Sequence, residues 1–308
     1  MPELPEVQTI VSDLQKILPG LKIGDVWTDW KKMFPARGGS AFGGKNSSLS
    51  FEHFKKEVVG EKILNVRRVG KNILINLSGN KTVLVHQKMT GHFLYGNWKT
   101  ETPPSGARWI SEEAGPIRDD PQNRFIHLVF DLSDGKQLAL SDLRKFAKVL
   151  LWPTDKLSEL EDINNLGPDP MAEDFNFNKF QERLANKKGK IKTVLMDQTV
   201  FAGIGNIYSD EILWLSGIHP LKPTSSLTQE ELKTIFNSTK KILKKAIEVR
   251  GTSDSDYRDP SGRKGQYQDI LYVYGLEGEK CQKKDGGIIT RLKIGGRSAH
   301  FCPIHQKL

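Results

Sequence analysis

MPELPEVQTIVSDLQKILPG, residues 1–20, decides how the rest of the chain is read. Val7, Ile10, Val11, Leu14, Ile17 and Leu18 fall on one stripe at helical spacing, and Pro19-Gly20 ends it. A helix with a single apolar face packs on a larger body, so a terminus that would ordinarily fray is tied down. At its head stand Pro2 and Glu3. Prolines are favoured in the first turn of a helix, which is one sufficient reason for the pattern. The pair also has a chemical reading: with Met1 removed, Pro2 is a secondary amine beside a carboxyl group.

Beyond this helix, residues 22–152 read as strands. GDVWTDW alternates through Val26, Thr28 and Trp30, and NILINL (72–77) leads through Ser78-Gly79-Asn80 into TVLVH. RFIHLVFDL and QLALSDL flank Asp134-Gly135, a pair suited to a type I′ turn, and FAKVLLW ends at Trp152. Short strands joined by such turns predict a β-sandwich or barrel-like body. Residues 33–50 and 96–124 interrupt it and are expected to be mobile surface. After Trp152 the period turns helical, over 155–164, 175–186, 190–197, Ile207 to about Leu215, and a long helix that Thr228 and Glu231 cap and Gly251 ends. Residues 252–266 are polar and expected to be flexible; a β-type tail follows. The predicted fold is an α+β multidomain chain, divided at 1–152, 153–252 and 253–308.

The bulk properties narrow the function. The chain has 308 residues, enough for more than one core, and no apolar run long enough to span a membrane. Glu3 and Glu6 occupy the place where a signal peptide would carry positive charge. Two cysteines, Cys281 and Cys302, exclude a disulfide scaffold and suit a reducing cytoplasm. A net charge of +9 favours a polyanionic partner, nucleic acid before membrane.

Five constellations carry chemistry. A terminal α-amine has a reference pKa of about 7.7–8.0, so part of it is unprotonated at neutral pH. A secondary amine that attacks C1′ of a deoxyribose forms a charged iminium, and Glu3 is placed to move protons. Lys71 in VGKN lies between two strand-like runs, and HQKMTG sets His86 and Met89 at a strand end. DLRKF puts Arg144 and Phe146 on one side of an extended segment, a guanidinium beside a ring, as base extrusion requires. FAGIGNIYSDE turns through Gly203 and Gly205 onto a helix that Asn206 opens, a shape suited to phosphate or to tight packing. In the tail, Cys281, Cys302 and His305 are ligand-like, and Lys284 stands where a Cys-x-x-Cys pair would need its second thiol. Three ligands are too few for a closed site unless another group, such as His300, joins. A finger without metal is therefore expected.

Together these motifs resemble the formamidopyrimidine-DNA glycosylase / endonuclease VIII family over nearly the whole chain. The resemblance implies an N-terminal helix and β-sandwich, a helix–two-turns–helix domain and a C-terminal β-hairpin finger. It implies Pro2 as nucleophile, Glu3 as its acid and Lys71 as a phosphate-gripping catalytic lysine. His86, Met89, Arg144, Phe146, Lys192, Asn206 and Arg297 become DNA-binding residues, Arg297 at the tip of the finger. Residues 252–266 fall where the family keeps a loop over the flipped base. The wording of GIGNIYSDE, Met89 and R-x-F resembles the oxidised-purine branch, which implies 8-oxoguanine and formamidopyrimidines as substrates and β,δ-elimination after base release. No cofactor is expected for the chemistry, and the partner is damaged double-stranded DNA, bound by a cytoplasmic, nucleoid-associated monomer. Three other readings compete: an endonuclease VIII-like enzyme for oxidised pyrimidines, a non-catalytic damaged-DNA binder of the same fold, and a small-molecule tautomerase.

Overall fold

A computed structural model of the protein describes residues 1–34, 50–101, 108–254 and 256–308. The chain packs as two units. The first, Met1–Asn164 with Arg250–Gln266, carries α1 (Leu4–Ile17), β1 (Ile23–Thr28), α2 (Phe51–Val58), β2 (Ile63–Val69), β3 (Asn72–Leu77), β4 (Lys81–His86) and β5 (His92–Gly96). It continues through β6 (Trp98–Glu101), β7 (Arg108–Ser111), α3 (Pro116–Asp119), β8 (Ile126–Leu132), β9 (Gln137–Ser141), β10 (Lys148–Pro153) and α4 (Glu161–Asn164).

Two antiparallel four-stranded sheets, ordered β1-β8-β9-β5 and β10-β4-β3-β2, share one core with α1 and α2. Val7, Ile10, Val11 and Leu14 on the apolar stripe of α1 are buried in it, as the periodicity predicts. Strand β3 is buried at all six positions, so its sequence NILINL shows no alternation. The cause is a second small cluster in which Leu74, Leu84 and Leu150 on the far face of the sheet are covered by Leu157 and Leu160. Those two leucines are three apart, and the segment around them is a 3-10 turn over Thr154–Glu159 followed by the four-residue α4, rather than the single helix expected over 155–164.

Other local expectations also change. Only Gly135 of the Asp134-Gly135 pair has positive φ (85°), so the β8–β9 connection is not a type I′ turn. Residues 35–49 of the 33–50 interruption lie outside the described residues. Its end initiates α2: Ser50 caps the helix by accepting from the His53 amide, and Phe54 and Val58 bury one face. The 96–124 interruption is not simply mobile surface, because its described residues form the β6–β7 hairpin, α3 and a 3-10 turn over Pro121–Arg124. Residues 102–107 lie outside the description. The polar segment after Gly251 is hydrogen-bonded to the first unit throughout, which corrects its expected flexibility. Arg250 pairs with Asp13 and Asp259, the Thr252 amide donates to Glu6, and Arg258 pairs with Asp120.

The second unit, Asn165–Val249 with Tyr267–Leu308, contains α5 (Phe177–Leu184), α6 (Ile191–Met196), α7 (Asn206–Ser216), α8 (Gln229–Glu248), β11 (Thr290–Ile294) and β12 (Arg297–Phe301). Thr228 and Glu231 form the expected capping box on α8. Gly295 and Gly296, at φ 55° and 77°, make a two-residue turn that pairs Ile294 with Arg297 and closes the β11–β12 hairpin. Glu211 of α7 ties the helix to the tail by accepting the amides of Tyr272, Val273 and Tyr274 at 2.9–3.0 Å. Burial pushes its carboxyl up to about 7, against the pull of those three N–H donors. No helix among the described residues is long and apolar enough to cross a membrane.

Candidate active site

Pro2 and Glu3 are buried at the head of α1. Glu6, one turn later, fixes them: its Oε2 accepts the Glu3 amide at 2.7 Å, while its Oε1 accepts the Thr252 amide at 2.7 Å. One buried carboxylate therefore joins the N-terminal pair to the segment after Gly251. Gly251 has positive φ (79°), and a Cβ there would stand 2.6 Å from the same Glu6 carboxylate.

Lys71 is the second residue of the two-residue turn between β2 and β3, with the left-handed position taken by Gly70 (φ 59°). It is nearly buried, 7 % exposed. Across the sheet, His86 pairs in register with Asn72 on one side and Lys148 on the other. Burial pushes the His86 imidazole down to about 3, and the charges of Lys88 and Lys71 push the same way. Its Nδ1 accepts the Lys88 amide at 2.9 Å, which requires a neutral ring with the proton on Nε2. An unfolded histidine near 6.5 takes up a proton where the native one does not. This contribution is intact above pH 6.5 and is lost as pH falls towards 3, by up to about 1.4 kcal/mol per pH unit. Urea unfolding at pH 7.5 and 5.0 should show that loss in the wild type and a shallower one in His86→Gln; equal slopes would refute the assignment.

Met89, Arg144 and Phe146 come together on two loops of one design. In each loop a lysine in the left-handed region, Lys88 (φ 54°) and Lys145 (φ 56°), immediately precedes the apolar residue. Such backbone costs energy and persists only where neighbours enforce it. The enforcing group is Asp142, 1 % exposed. Its Oδ2 accepts the Ala147 amide at 2.8 Å and its Oδ1 accepts the Thr90 hydroxyl, while Thr90 Oγ1 accepts the Arg144 amide at 3.0 Å. A Cβ on Gly91 would meet the Gln87 carbonyl oxygen at 2.6 Å, so the Met89 loop closes only around glycine. The Arg144 guanidinium lies 4.6 Å from the centre of the Phe146 ring, which is half exposed. Met89, Phe146, Trp30 and Met33 line a cavity of about 610 Å3, with Met1 on its wall and Lys32, Lys88, Lys145 and Lys148 also lining it. An apolar floor within a cationic rim suits a nucleobase between phosphates.

In the second unit, Asn206 is the first residue of α7, preceded by Gly205, and its side-chain Oδ1 is buried without a partner. Gln198 shapes the turn before it, accepting the Gly203 amide and donating to the Met196 and Ile204 carbonyls. Lys192 departs from expectation. It is fully buried, with Nζ 2.5 Å from Asp210 and 3.2 Å from Ser209 Oγ, so it anchors α6 to α7 and does not present its charge to a phosphate. The other oxygen of Asp210 accepts the His300 amide at 2.9 Å, which ties β12 to the same ion pair. Arg297 begins β12 at the hairpin tip and is exposed.

The tail also corrects the sequence reading. Cys281, Asp285, Cys302 and His305 place one ligand atom each within 4.8 Å of one another. The fourth group is Asp285, one residue beyond Lys284, which takes up the extra residue in the left-handed region (φ 56°). His305 Nε2 lies 3.3 Å from the Trp214 carbonyl, a contact that holds the proton there and leaves Nδ1, 2.9 Å from Asp285, as the ligand atom. A Cβ on Gly287 would stand 2.2 Å from Cys302 Sγ, so glycine is needed beside the cluster. This donor set can hold a metal ion.

Sequence reasoning missed Glu6, Thr90, Asp142 and Asp285. Three of them lie inside stretches already singled out, MPELPEV, HQKMTG and DLRKF, where attention went to the residues facing DNA.

Residues 1–149 match the model of the formamidopyrimidine-DNA glycosylase N-terminal domain, and residues 166–257 match that family's H2TH domain. The formamidopyrimidine-DNA glycosylase of Pelotomaculum thermopropionicum is 38% identical over 308 residues, covering 100% of both chains. That of Lactiplantibacillus plantarum is 33% identical over 308 residues, again covering 100% of both. Among solved structures, the Lactococcus lactis Fpg bound to DNA containing an abasic site superposes with a TM-score of 0.81 at 33% identity, covering 99% of this chain and 100% of that one. A variant of that protein bound to Fapy-dG DNA gives the same TM-score and identity and covers 100% of both chains.

Proposed function

Because the chain belongs to the formamidopyrimidine-DNA glycosylase family, we propose that it excises oxidised purines, 8-oxoguanine and formamidopyrimidines, through an iminium formed on Pro2. It is a DNA glycosylase of base excision repair that acts on damaged duplex DNA. The observation that carries the finer reading is the single cavity whose wall includes Met1 and the two loop residues Met89 and Phe146. Removal of Met1 frees the Pro2 nitrogen beside those residues.

The chemistry follows from the residues. The Pro2 lone pair attacks C1′ as the base departs with the glycosidic electrons, and Glu3 supplies a proton to the opening sugar. The resulting iminium withdraws electrons from the C2′–H bond. Loss of that proton expels the 3′ phosphate, and a second elimination expels the 5′ phosphate. Lys71, Asn206 and Arg297 hold phosphates; Met89, Arg144 and Phe146 occupy the space that the extruded nucleotide leaves. His86 acts by fixing the Lys88 backbone beside them. The segment 252–266 covers the extruded base, tied to the N-terminal pair through Glu6. The enzyme works as a cytoplasmic monomer on nucleoid DNA. Release of free 8-oxoguanine from a duplex opposite cytosine, leaving phosphate at both ends of the gap, is the expected result. Release of thymine glycol in its place would move the chain to the oxidised-pyrimidine branch.

The chemistry above uses no metal. We propose a structural zinc at Cys281, Asp285, Cys302 and His305, where two thiols, an imidazole and a carboxylate converge. Bound zinc would supply a cross-link that holds the base of the β11–β12 hairpin. Elemental analysis of purified protein should find about one zinc per chain, and Asp285→Ala should lose most of it and melt lower. Metal-free wild type with an unchanged melting point in chelator would refute the site.

A further inference from the structure

The Pro116–Arg124 stretch belongs to the 96–124 interruption, for which the chemistry above has no use. It nonetheless makes a dense set of contacts to the segment that begins at Gly251. Asp120 receives both sides of the Arg258 fork, Nε at 2.7 Å and Nη2 at 3.2 Å, and Arg258 is only 3 % exposed. Asn123 donates from Nδ2 to the Pro116 carbonyl at 2.8 Å and to the Gly262 carbonyl at 3.1 Å. Its Oδ1 meets His92 Nε2 at 2.9 Å, which anchors it to β5. Gly262 has positive φ (76°), and a Cβ there would stand 2.8 Å from the Ile117 backbone, so the two segments are in direct contact. The Tyr95 amide of β5 donates to the Pro260 carbonyl at 2.9 Å.

The segment is thus held at two places. Its root is fixed by Glu6, which also fixes Glu3, and its tip by Asp120 and Asn123. We propose that Pro116–Arg124 is a brace that presets residues 256–263 for base capture before DNA arrives, with Asp120 as its positioning residue. This inference rests on the proposed function, in which that segment covers the extruded base. Asp120 touches neither the sugar nor the base; it acts through Arg258. A fork of two charge-assisted hydrogen bonds gives the geometric definition such a brace needs.

The brace separates two activities that a loss of structure would lower together. Excision of 8-oxoguanine needs the base to be captured, whereas cleavage at a preformed abasic site does not. Asp120→Asn should lower single-turnover 8-oxoguanine excision about tenfold and leave abasic-site cleavage within about twofold. Arg258→Lys, which keeps the charge and loses the fork, should fall between that variant and wild type. Hydrogen exchange on the free wild-type protein should show the amides of Asp259 and Gly262 protected. Equal loss of both activities, no loss of either, or free exchange at these amides in wild type would each overturn the brace. If Asp120→Asn does not fold, the wild-type exchange decides alone. Absence of glycosylase activity in wild type would instead overturn the proposed function, which the exchange measurement does not depend on.

Discussion

Pro2→Gly is expected to reduce single-turnover release of 8-oxoguanine by about 100-fold or more, and to reduce borohydride trapping of the enzyme on damaged duplex in parallel. The size of the effect follows from the nitrogen. A secondary amine condenses with C1′ to an iminium that has no N–H to lose, so it stays charged and keeps drawing electrons from C2′. A glycine amine condenses to an imine that sheds its proton near neutral pH and then ceases to be an electron sink. Glycine also releases the φ that proline presets at the start of α1, which loosens the amine relative to Glu3. Glu3→Gln should cost about 10²–10⁴ in the same assay by removing the proton carrier, with the amine intact. An adduct of undiminished yield with Pro2→Gly would mean that another amine is the nucleophile, and Lys71 would be the first to examine.

The helix stripe at residues 7–18, the succession of strands and the capped helix at 228–248 were legible because each is a local periodicity, and local periodicity survives folding. Strand β3 was legible as a strand but not as a doubly buried one, since its second cover, Leu157 and Leu160, lies about eighty residues away in the chain. The same distance hid the fate of the segment after Gly251. Its composition is that of a flexible loop, yet its charges are consumed by Asp13, Asp120 and its own Asp259. Polar composition predicts flexibility only where the polar groups find no partners.

For the site, the residues facing the DNA were legible and those supporting them were not. Exposed chemistry such as Phe146 or Arg297 stands out because it is costly or unusual at a surface. A buried aspartate looks in sequence like any surface aspartate. Lys192 shows the converse error: in the motif it reads as a cation for phosphate, and only its 0 % exposure and its contact with Asp210 reveal a structural ion pair. The tail gives a third case, in which one extra residue moved the ligand from Lys284 to Asp285 and broke the spacing rule that would have found it.

Asp142→Ala is the second change from which a large effect is expected. Removal of this carboxylate leaves the Ala147 amide without its acceptor and frees the Thr90 hydroxyl, which in turn receives the Arg144 amide. Hydrogen bonds to a buried charged group contribute about 1.5–3 kcal/mol each, so a stability loss of about 2–4 kcal/mol is expected. The functional loss should exceed what the melting temperature explains. Left-handed lysines at 88 and 145 hold Met89 and Phe146 in place only while the surrounding loops enforce that backbone, and Asp142 is the one group bonded to both loops. With it removed, both loops can relax towards ordinary φ. Excision measured at a temperature where the variant remains folded should therefore fall by about 100-fold, while Asp142→Asn, which keeps one acceptor, should fall less. Excision within threefold of wild type in a destabilised Asp142→Ala would show that the two loops hold their shape without the carboxylate.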